Sequence, residues 1–426
     1  MSETRHYYPN RSMFFIPIRF QDFAAVTKLF ESAGNWNRID YQNSELETNT
    51  PYEKKPNYLL PYITRIIDNR ELFQVFECVD FQDDCLFYPT KEAIPACNYF
   101  IPSARVSKVL FSCFSTNVGF LEYWVDFDSN VNSLDMLQFS YYFKRGIPSD
   151  KWDTSGKKGL LEYSQSIVPD GSDFEFFFTS KSDLKKECRC FHTYMIKPDE
   201  TNDEGNALYQ RFARTYSRTF PTAKETSDND MLYKPYDNIV WTGSPESIAN
   251  IVSKNTGDDD YYIEQYLSQQ IETDYRFMYL ILLNQRFSLL NYIEKIAQND
   301  KSKLEQVYHD CIRLKTTFSF RVVSDDLIFQ SIYSKMYAIM DIDKLVEDTV
   351  DSEKQASALI NEKAAKSANR RVKWLTALSI LSVASFLIDS SSYLQQAFPI
   401  LSNGIVSIIS MVILIIIAIL IVFFIK

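Results

Sequence analysis

Residues 370–389 read RRVKWLTALSILSVASFLID, and after an uncharged connection residues 405–426 read IVSIISMVILIIIAILIVFFIK. The second apolar run, Ile405–Ile425, is 21 residues without a charge, about 31 Å of helix at 1.5 Å per residue, the thickness of a bilayer core. The first, Trp374–Ile388, is 15 residues, about 22 Å, and spans only if Lys373 snorkels or neighbouring helices shield it. Lys and Arg flank the pair on its outer sides, and Asp389–Gly404 contains neither. The positive-inside rule then places both ends in the cytoplasm. The expectation is a two-span C-terminal transmembrane helical hairpin, with spans at 374–388 and 405–425, in the inner membrane of a prokaryote. The alternative for both runs is a pair of buried core helices.

Upstream, no apolar stretch follows Met1-Ser-Glu-Thr-Arg-His6, so no signal peptide is expected and the first 370 or so residues stay in the cytosol. Seven cysteines, an odd number without paired spacing, suit free thiols in a reducing compartment. A formal charge of −10 excludes bulk nucleic-acid binding, which is driven by phosphate neutralisation. No G-x-G-x-x-G, G-x-x-x-x-G-K, G-x-S-x-G or H-E-x-x-H occurs, and the three histidines, His6, His192 and His309, accompany no nucleophile motif; no enzyme is expected.

The punctuation divides the chain. Between Gly257 and Pro399 lie 141 residues with neither Gly nor Pro, which separates a turn-rich part from a continuously helical one. We expect an α+β cytosolic sensor domain over 1–257, a long helical stalk over 258–372, and the transmembrane hairpin over 373–426. In the first part Met13–Phe20, Glu71–Val79, Phe174–Thr179, Cys190–Ile196 and Ile239–Thr242 have strand composition. Val106–Phe114 and Gly119–Phe127 flank Ser115-Thr-Asn-Val118 as a hairpin. Ser133–Lys144 has helical spacing. Ser244-Pro245-Glu246 has the N-cap and first-turn chemistry of a helix through about Ser253. Tyr41–Asn57, Pro148–Asp173 and Lys197–Gly205 read as loops.

In the second part, apolar residues from Ile263 to Ile296 recur every three or four positions, one amphipathic helix of about 40 residues. Lys301–Leu314 follows as a shorter helix. Ser324 caps a third, which nothing stops before Asp389; it is expected to run about 64 residues, roughly 96 Å. A helix with so little core of its own needs partner helices, and self-association supplies them.

On an ideal helix Ser357, Asn361, Ala364, Ala368, Leu375, Ser379, Ser382, Phe386 and Asp389 share an arc of about 80°. Around an oligomer axis this arc reads as a pore lining, with Leu375 and Phe386 as apolar rings and Asp389 as a carboxylate ring favouring cations. The alternative is that the serines bond back to the i−4 carbonyl and the small residues let helices pack.

A cytosolic α/β domain, a stalk helix entering the first of two C-terminal spans, and both termini inside resemble the CorA-type magnesium channel family. The resemblance covers the last 170 or so residues, and reaches the N-terminal domain only through the run ending at Trp241-Thr-Gly-Ser-Pro-Glu246. It implies a homo-oligomer, a pentamer in that family, whose first span lines a cation pore. The family's Gly-Met-Asn filter is absent: the corresponding stretch reads Asp389-Ser-Ser-Ser-Tyr-Leu-Gln-Gln-Ala-Phe398, so no filter residue carries over. Divergent members without the motif include membrane effectors of type III CRISPR antiviral defence, gated by a nucleotide second messenger. The resemblance thus implies a ligand-gated channel. A non-conducting membrane-anchored sensor or scaffold, and a housekeeping magnesium transporter, are the alternatives.

Three further constellations stand out. Arg211, Arg214 and Arg218 share one face of an expected helix Asn206–Phe220 and could hold the phosphates of a small anionic regulator; a solvated helix face is the alternative. The stalk acids, Asp341 and Asp343 first, could hold Mg or another divalent cation, or simply form a charged face. Cys188-x-Cys190-x-His192 puts three ligand types on one strand side, but about 6.5 Å apart, too far for one zinc ion.

Overall fold

The computed structural model describes residues 8–41, 54–89, 104–145, 156–170, 174–177, 188–197, 200, 205–213, 231–253, 262–297, 301–397, 412 and 416. The chain divides into two compact units, Met1–Glu294 with Gln306–Thr349, and Lys295–Glu305 with Val350–Lys426.

The first unit is built on one mixed sheet of ten strands. In chain order these are β1 (Arg11–Arg19), β2 (Trp36–Arg38), β3 (Phe73–Cys78), β4 (Ala104–Phe114), β5 (Val118–Phe127), β6 (Glu175–Phe176), β7 (Arg189–Ile196), β8 (Met231–Tyr236), β9 (Ile239–Gly243) and β10 (Ser247–Ser253). Their spatial order is β2-β3-β4-β5-β1-β7-β10-β9-β8, with β6 also on β1. Among the described strands, β7 and β10 pair in parallel and the other pairs are antiparallel.

β1 lies at the centre because nearly every residue in it is buried, on both faces. It also contains Pro17, which central strands usually exclude. The Pro17 carbonyl accepts from Phe177 N–H at 3.4 Å, so its nitrogen faces the same side. There the pairing with β7 has already ended at Phe15 and that with β6 covers only Ile18 and Arg19, so Pro17 falls between its two partner strands.

The expected hairpin forms between β4 and β5. Asn117 supplies the turn with a φ of 65°, which Asn tolerates. Opposite it, a Cβ on Gly119 would meet the Phe111 ring at 2.8 Å, so glycine is required there by packing.

Alternation along β1 and β5 separates two cores. Phe14, Leu121, Tyr123 and Phe111 face α1 (Phe23–Ser32), α3 (Ser133–Arg145), α4 (Leu160–Ile167) and α5 (Gly205–Ala213), where Phe30 stacks on Phe111 at 4.3 Å and Phe143 meets Phe14 at 4.9 Å. The short α2 (Pro61–Asp68) leads into β3. The opposite face carries Phe15, Phe120 and Phe191 and receives α6 (Arg276–Ala297), through Tyr279 on Phe15 at 5.2 Å and Phe287 on Phe120 at 5.8 Å. α6 is preceded by two π-helical turns, Tyr262–Leu267 and Ile271–Tyr275, around the α-turn Ser268–Gln270. Helical turns thus run unbroken from Tyr262 to Ala297, close to the expected 40-residue helix, but Phe277–Leu283 is buried on every side rather than amphipathic.

Other expectations change as well. Ser244-Pro245 does not open a helix. Ser244 Oγ accepts from Glu246 N–H at 3.2 Å, as an N-cap would, but its own N–H bonds to the Ser247 carbonyl at 2.8 Å and the chain turns back as the β9–β10 hairpin. Pro148–Asp173, read as a loop, contains α4. The helix expected from Ser324 to Asp389 breaks at Met340–Asp341 into α8 (Leu327–Ile339) and α9 (Ile342–Ala397), after α7 (Lys301–Thr317). Its cap is Asp326, whose carboxylate accepts from Ile328 and Phe329 N–H.

The two-span transmembrane hairpin is corrected. Among the described residues no helix is long and apolar enough to cross a membrane. The run Trp374–Ile388 lies inside the 56-residue α9, which continues through Asp389 to Ala397 where a connection was expected. Neither Gly nor Pro occurs between Asp389 and Phe398, so nothing there stops a helix. The run alone is 15 residues between Lys373 and Asp389, short of the ~20 that a span needs. Ile405–Ile425 lies outside the described residues except for Val412 and Ile416, both helical and exposed. The inner-membrane location and the transmembrane, ion-channel reading built on the hairpin lose their basis with it.

Candidate functional site

The unusual chemistry of the first unit lies on the α6 face of the sheet. β5 alternates, so Glu122, Trp124 and Asp126 point to the same side. Glu122 is fully buried. Its carboxylate takes both arms of Arg276, the first residue of α6, at 2.7 Å to Nε and 2.9 Å to Nη2. Ser112 on β4 also donates to Glu122 and lies 3.3 Å from Arg276 Nη2. Burial opposes the Arg276 charge but the Glu122 carboxylate holds it, and the guanidinium pKa ends above its ordinary value.

Beside this pair, Arg11 on β1 bonds Asp126 and also Glu272 in the second π-helical turn. The indole of Trp124 lies between the two pairs. The guanidinium carbons of Arg11 and Arg276 stand 4.9 Å and 5.6 Å from its ring centroid, and the Lys108 ammonium 4.8 Å. Three cations and three carboxylates therefore surround one aromatic ring. Lys108 sits where β4 slips register between Val106 and Lys108, a bulge that turns its side chain onto Trp124. Burial, and then Arg11, pull its ammonium down to about 8, against the opposing pull of Glu272.

Glu272 and Arg276 are four residues apart and so face the sheet from one side of the helix, across the π-helical turn Ile271–Tyr275. Between them Asp274 is buried and accepts from Tyr58 N–H and Thr273 Oγ1, each at 2.8 Å. Burial outweighs these bonds and raises its carboxyl to about 6. Ten residues on, Arg286 donates to the Met340 carbonyl at the α8–α9 junction. There Asp341 has a φ of 52°, and Asp343 in the first turn of α9 accepts from Arg321, at 3.0 Å to Nη1, and from Tyr337 OH at 2.9 Å. α6 therefore runs from the charge cluster to the hinge that starts the long helix.

The residues singled out from the sequence do not converge on this cluster. Arg211 is in α5; Arg214 and Arg218 lie outside the described residues. Asp343 is engaged by Arg321, and among the described residues no group of three His, Cys, Asp or Glu side chains is placed to hold a metal ion. Cys188, Cys190 and His192 are buried in the sheet core, with His192 Nδ1 2.8 Å from Ser12 Oγ and its imidazolium driven down to about 3 by burial. On α9, Asn361, Ala368, Leu375, Ser379 and Ser382 are exposed. The Ser379 and Ser382 hydroxyls donate to the carbonyls of Leu375 and Leu378, at 2.9 and 3.0 Å, the local bonding weighed against a pore lining. Ala364, Phe386 and Asp389 are on the same helix, with side chains outside the described set.

Sequence reading missed the cluster. Its signal was Glu122 and Asp126, two acids at alternate positions of an apolar strand, which demand buried cations, and Arg276, alone among the apolar residues Tyr275–Leu283. Comparisons with family models, curated proteins and solved structures find no match, and none bears on the likeness to CorA-type channels.

Proposed function

We propose that the protein is a non-enzymatic, ligand-responsive regulator that relays the state of its sheet to the long helix α9, through which copies of the chain associate. The observation that carries this reading is the placement of α6. Its first residue belongs to the buried Glu122–Arg276 pair, and Arg286, about 15 Å further along it, holds the carbonyl at the α8–α9 hinge. A shift at one end is delivered to the other because a packed helix moves as a body rather than deforming. Each carboxylate of the cluster is engaged by a guanidinium, Glu122 by Arg276 and Asp126 and Glu272 by Arg11, which fits coupling better than catalysis. The association surface is the exposed apolar side of α9, where Val372, Trp374, Leu375 and Leu378 are each more than half exposed.

The test combines hydrogen exchange with sedimentation on the full chain. Glu122→Gln is expected to raise exchange both at β5 and at Ile342–Thr349. Leu375→Glu with Leu378→Glu is expected to convert an oligomer to monomer. Exchange changes confined to β5 and the start of α6, or a wild-type chain that is already monomeric, defeat the reading.

A further inference from the structure

Four tyrosines, none of them part of the charge cluster, gather within the first unit where β8, the first π-helical turn and the start of α8 meet. Tyr236, the last residue of β8, meets Tyr262 in the π-helical turn with ring centroids 6.1 Å apart and planes at 65°. Tyr266, one turn on, lies 6.4 Å from Tyr262 and nearly parallel to it, at 17°. Planes so inclined form the two walls of an open corner. Tyr58 is fixed on the first turn of α8. Its ring stacks flat on Phe329 at 4.6 Å, its N–H donates to Asp274 at 2.8 Å and its carbonyl accepts from Ser324 Oγ at 2.5 Å. Tyr58, Tyr236 and Tyr266 are nonetheless 42%, 46% and 49% exposed. Exposed rings held together in one packed patch mark a binding surface, unlike singly scattered apolar residues. The rim of this patch is acidic, since Asp237, Asp325 and Asp326 are exposed. Asp326 caps α8 through Oδ1, at 2.8 Å from Ile328 N–H and 3.1 Å from Phe329 N–H. Burial, and then Tyr236, Tyr58 and the Asp326 carboxylate, push the Tyr262 phenol up to about 12, so its hydroxyl stays neutral and Asp326 lies within electrostatic reach of its ring. On the same strand the Lys335 ammonium already stands 5.5 Å from the Tyr233 ring centroid.

We propose that this corner binds a small free quaternary ammonium ion of the choline class. Its N-methyl groups lie against the faces of Tyr236 and Tyr262, and its charge is met by the ring quadrupoles and by Asp326. A primary ammonium is compact and strongly hydrated, whereas a methylated one presents its charge through an apolar surface that aromatic faces accept. The acidic rim repels a phosphate carried beside the ammonium, which favours a free ion over a lipid headgroup. Tyr262 opens the helical turns that lead into α6, so the site names a ligand for the regulator proposed above. It rests on that reading only for its consequence at α9; the corner stands on its own geometry.

Calorimetric titration of the full chain tests it by comparing choline with three relatives. The uncharged tert-butyl analogue keeps the shape without the charge, ethanolamine keeps the charge without the methyl groups, and phosphocholine adds the phosphate. Choline is expected to bind saturably and at least about tenfold tighter than any of the three. Tyr236→Ala, at an exposed edge position, and Asp326→Asn, which keeps the N-cap of α8, are each expected to weaken it at least about fivefold while melting remains cooperative. Tyr236→Phe keeps the ring and is expected to retain binding. No saturable choline binding, equal or tighter binding of any of the three relatives, or binding indifferent to Tyr236→Ala or to Asp326→Asn overturns the proposal. Saturable binding without altered exchange at Ile342–Thr349 leaves the site standing and removes the relay; altered exchange in Glu122→Gln without binding does the reverse.

Discussion

Glu122 and Arg276 are 0% and 2% exposed at the side chain, so neither charge has water to fall back on. Removing one partner leaves the other buried and uncompensated, which costs about 3–5 kcal/mol, whereas removing both often costs little. Urea denaturation of Arg276→Met is therefore expected to show a loss in that range, and Arg276→Met with Glu122→Leu to recover most of it. Additive losses would show that the two residues do not act as a pair. Asp274 gives a pH signature. Its carboxyl is raised from 3.8 to about 6 by burial, so the folded state favours the proton. Its contribution is complete below pH 4 and is lost as pH rises through 6. The loss is about 3 kcal/mol, at 1.36 kcal/mol per pKa unit. Asp274→Asn keeps the acceptor for Tyr58 N–H and removes the titration. The stability of the variant relative to wild type is expected to rise by about that amount between pH 4 and pH 7, and a flat difference would exclude Asp274 as its source.

Among the elements, strands were more legible than helix ends. β1, β3, β4, β5, β7 and β9 fall close to where alternation and aromatic content put them, because burial on two faces leaves a continuous apolar record. The Ser244-Pro245 turn misled because a serine hydroxyl bonding two residues on serves a helix start and a tight turn equally well. The break at Met340–Asp341 left no trace, since neither Gly nor Pro marks it. It depends on Asp341 adopting a left-handed conformation, with its N–H on the Ala338 carbonyl at 3.1 Å and its carbonyl accepting from Leu345 at 3.0 Å. A β-branched residue pays heavily for positive φ. Asp341→Val is expected to destabilise by about 1–2 kcal/mol in urea titration, and Asp341→Gly to be neutral or slightly stabilising. Equal effects of the two would mean that the hinge does not depend on this backbone geometry. The π-helical turns were invisible for a related reason: an apolar repeat of three or four residues continues across them, and neither Gly nor Pro marks them.

For the molecule as a whole, the point after Gly257 where Gly and Pro cease marks where helices take over from strands, but it is not where the chain divides, since α8 and most of α6 belong to the same unit as the sheet. The order of strands was not legible, because β7 and β10 meet in parallel across a stretch that holds α5, β8 and β9, and nothing local marks that pairing. The charge cluster was hidden by the same non-locality. Its members come from positions 11, 108, 112, 122, 126, 272 and 276, and each alone looks like an ordinary strand or helix residue. The C-terminal runs, by contrast, dominated the reading through hydropathy alone, which cannot register that the helix carrying the first of them continues through Asp389.

The two rims of the sheet carry a consequence for assembly. One rim ends in β2, only three residues long. The other ends in β8, which carries Pro235 and loses register between Tyr233 and Tyr236. A visiting strand finds too few backbone groups at the first rim and a missing donor and a kink at the second. The described rims of the sheet are therefore guarded against open-ended edge-to-edge stacking.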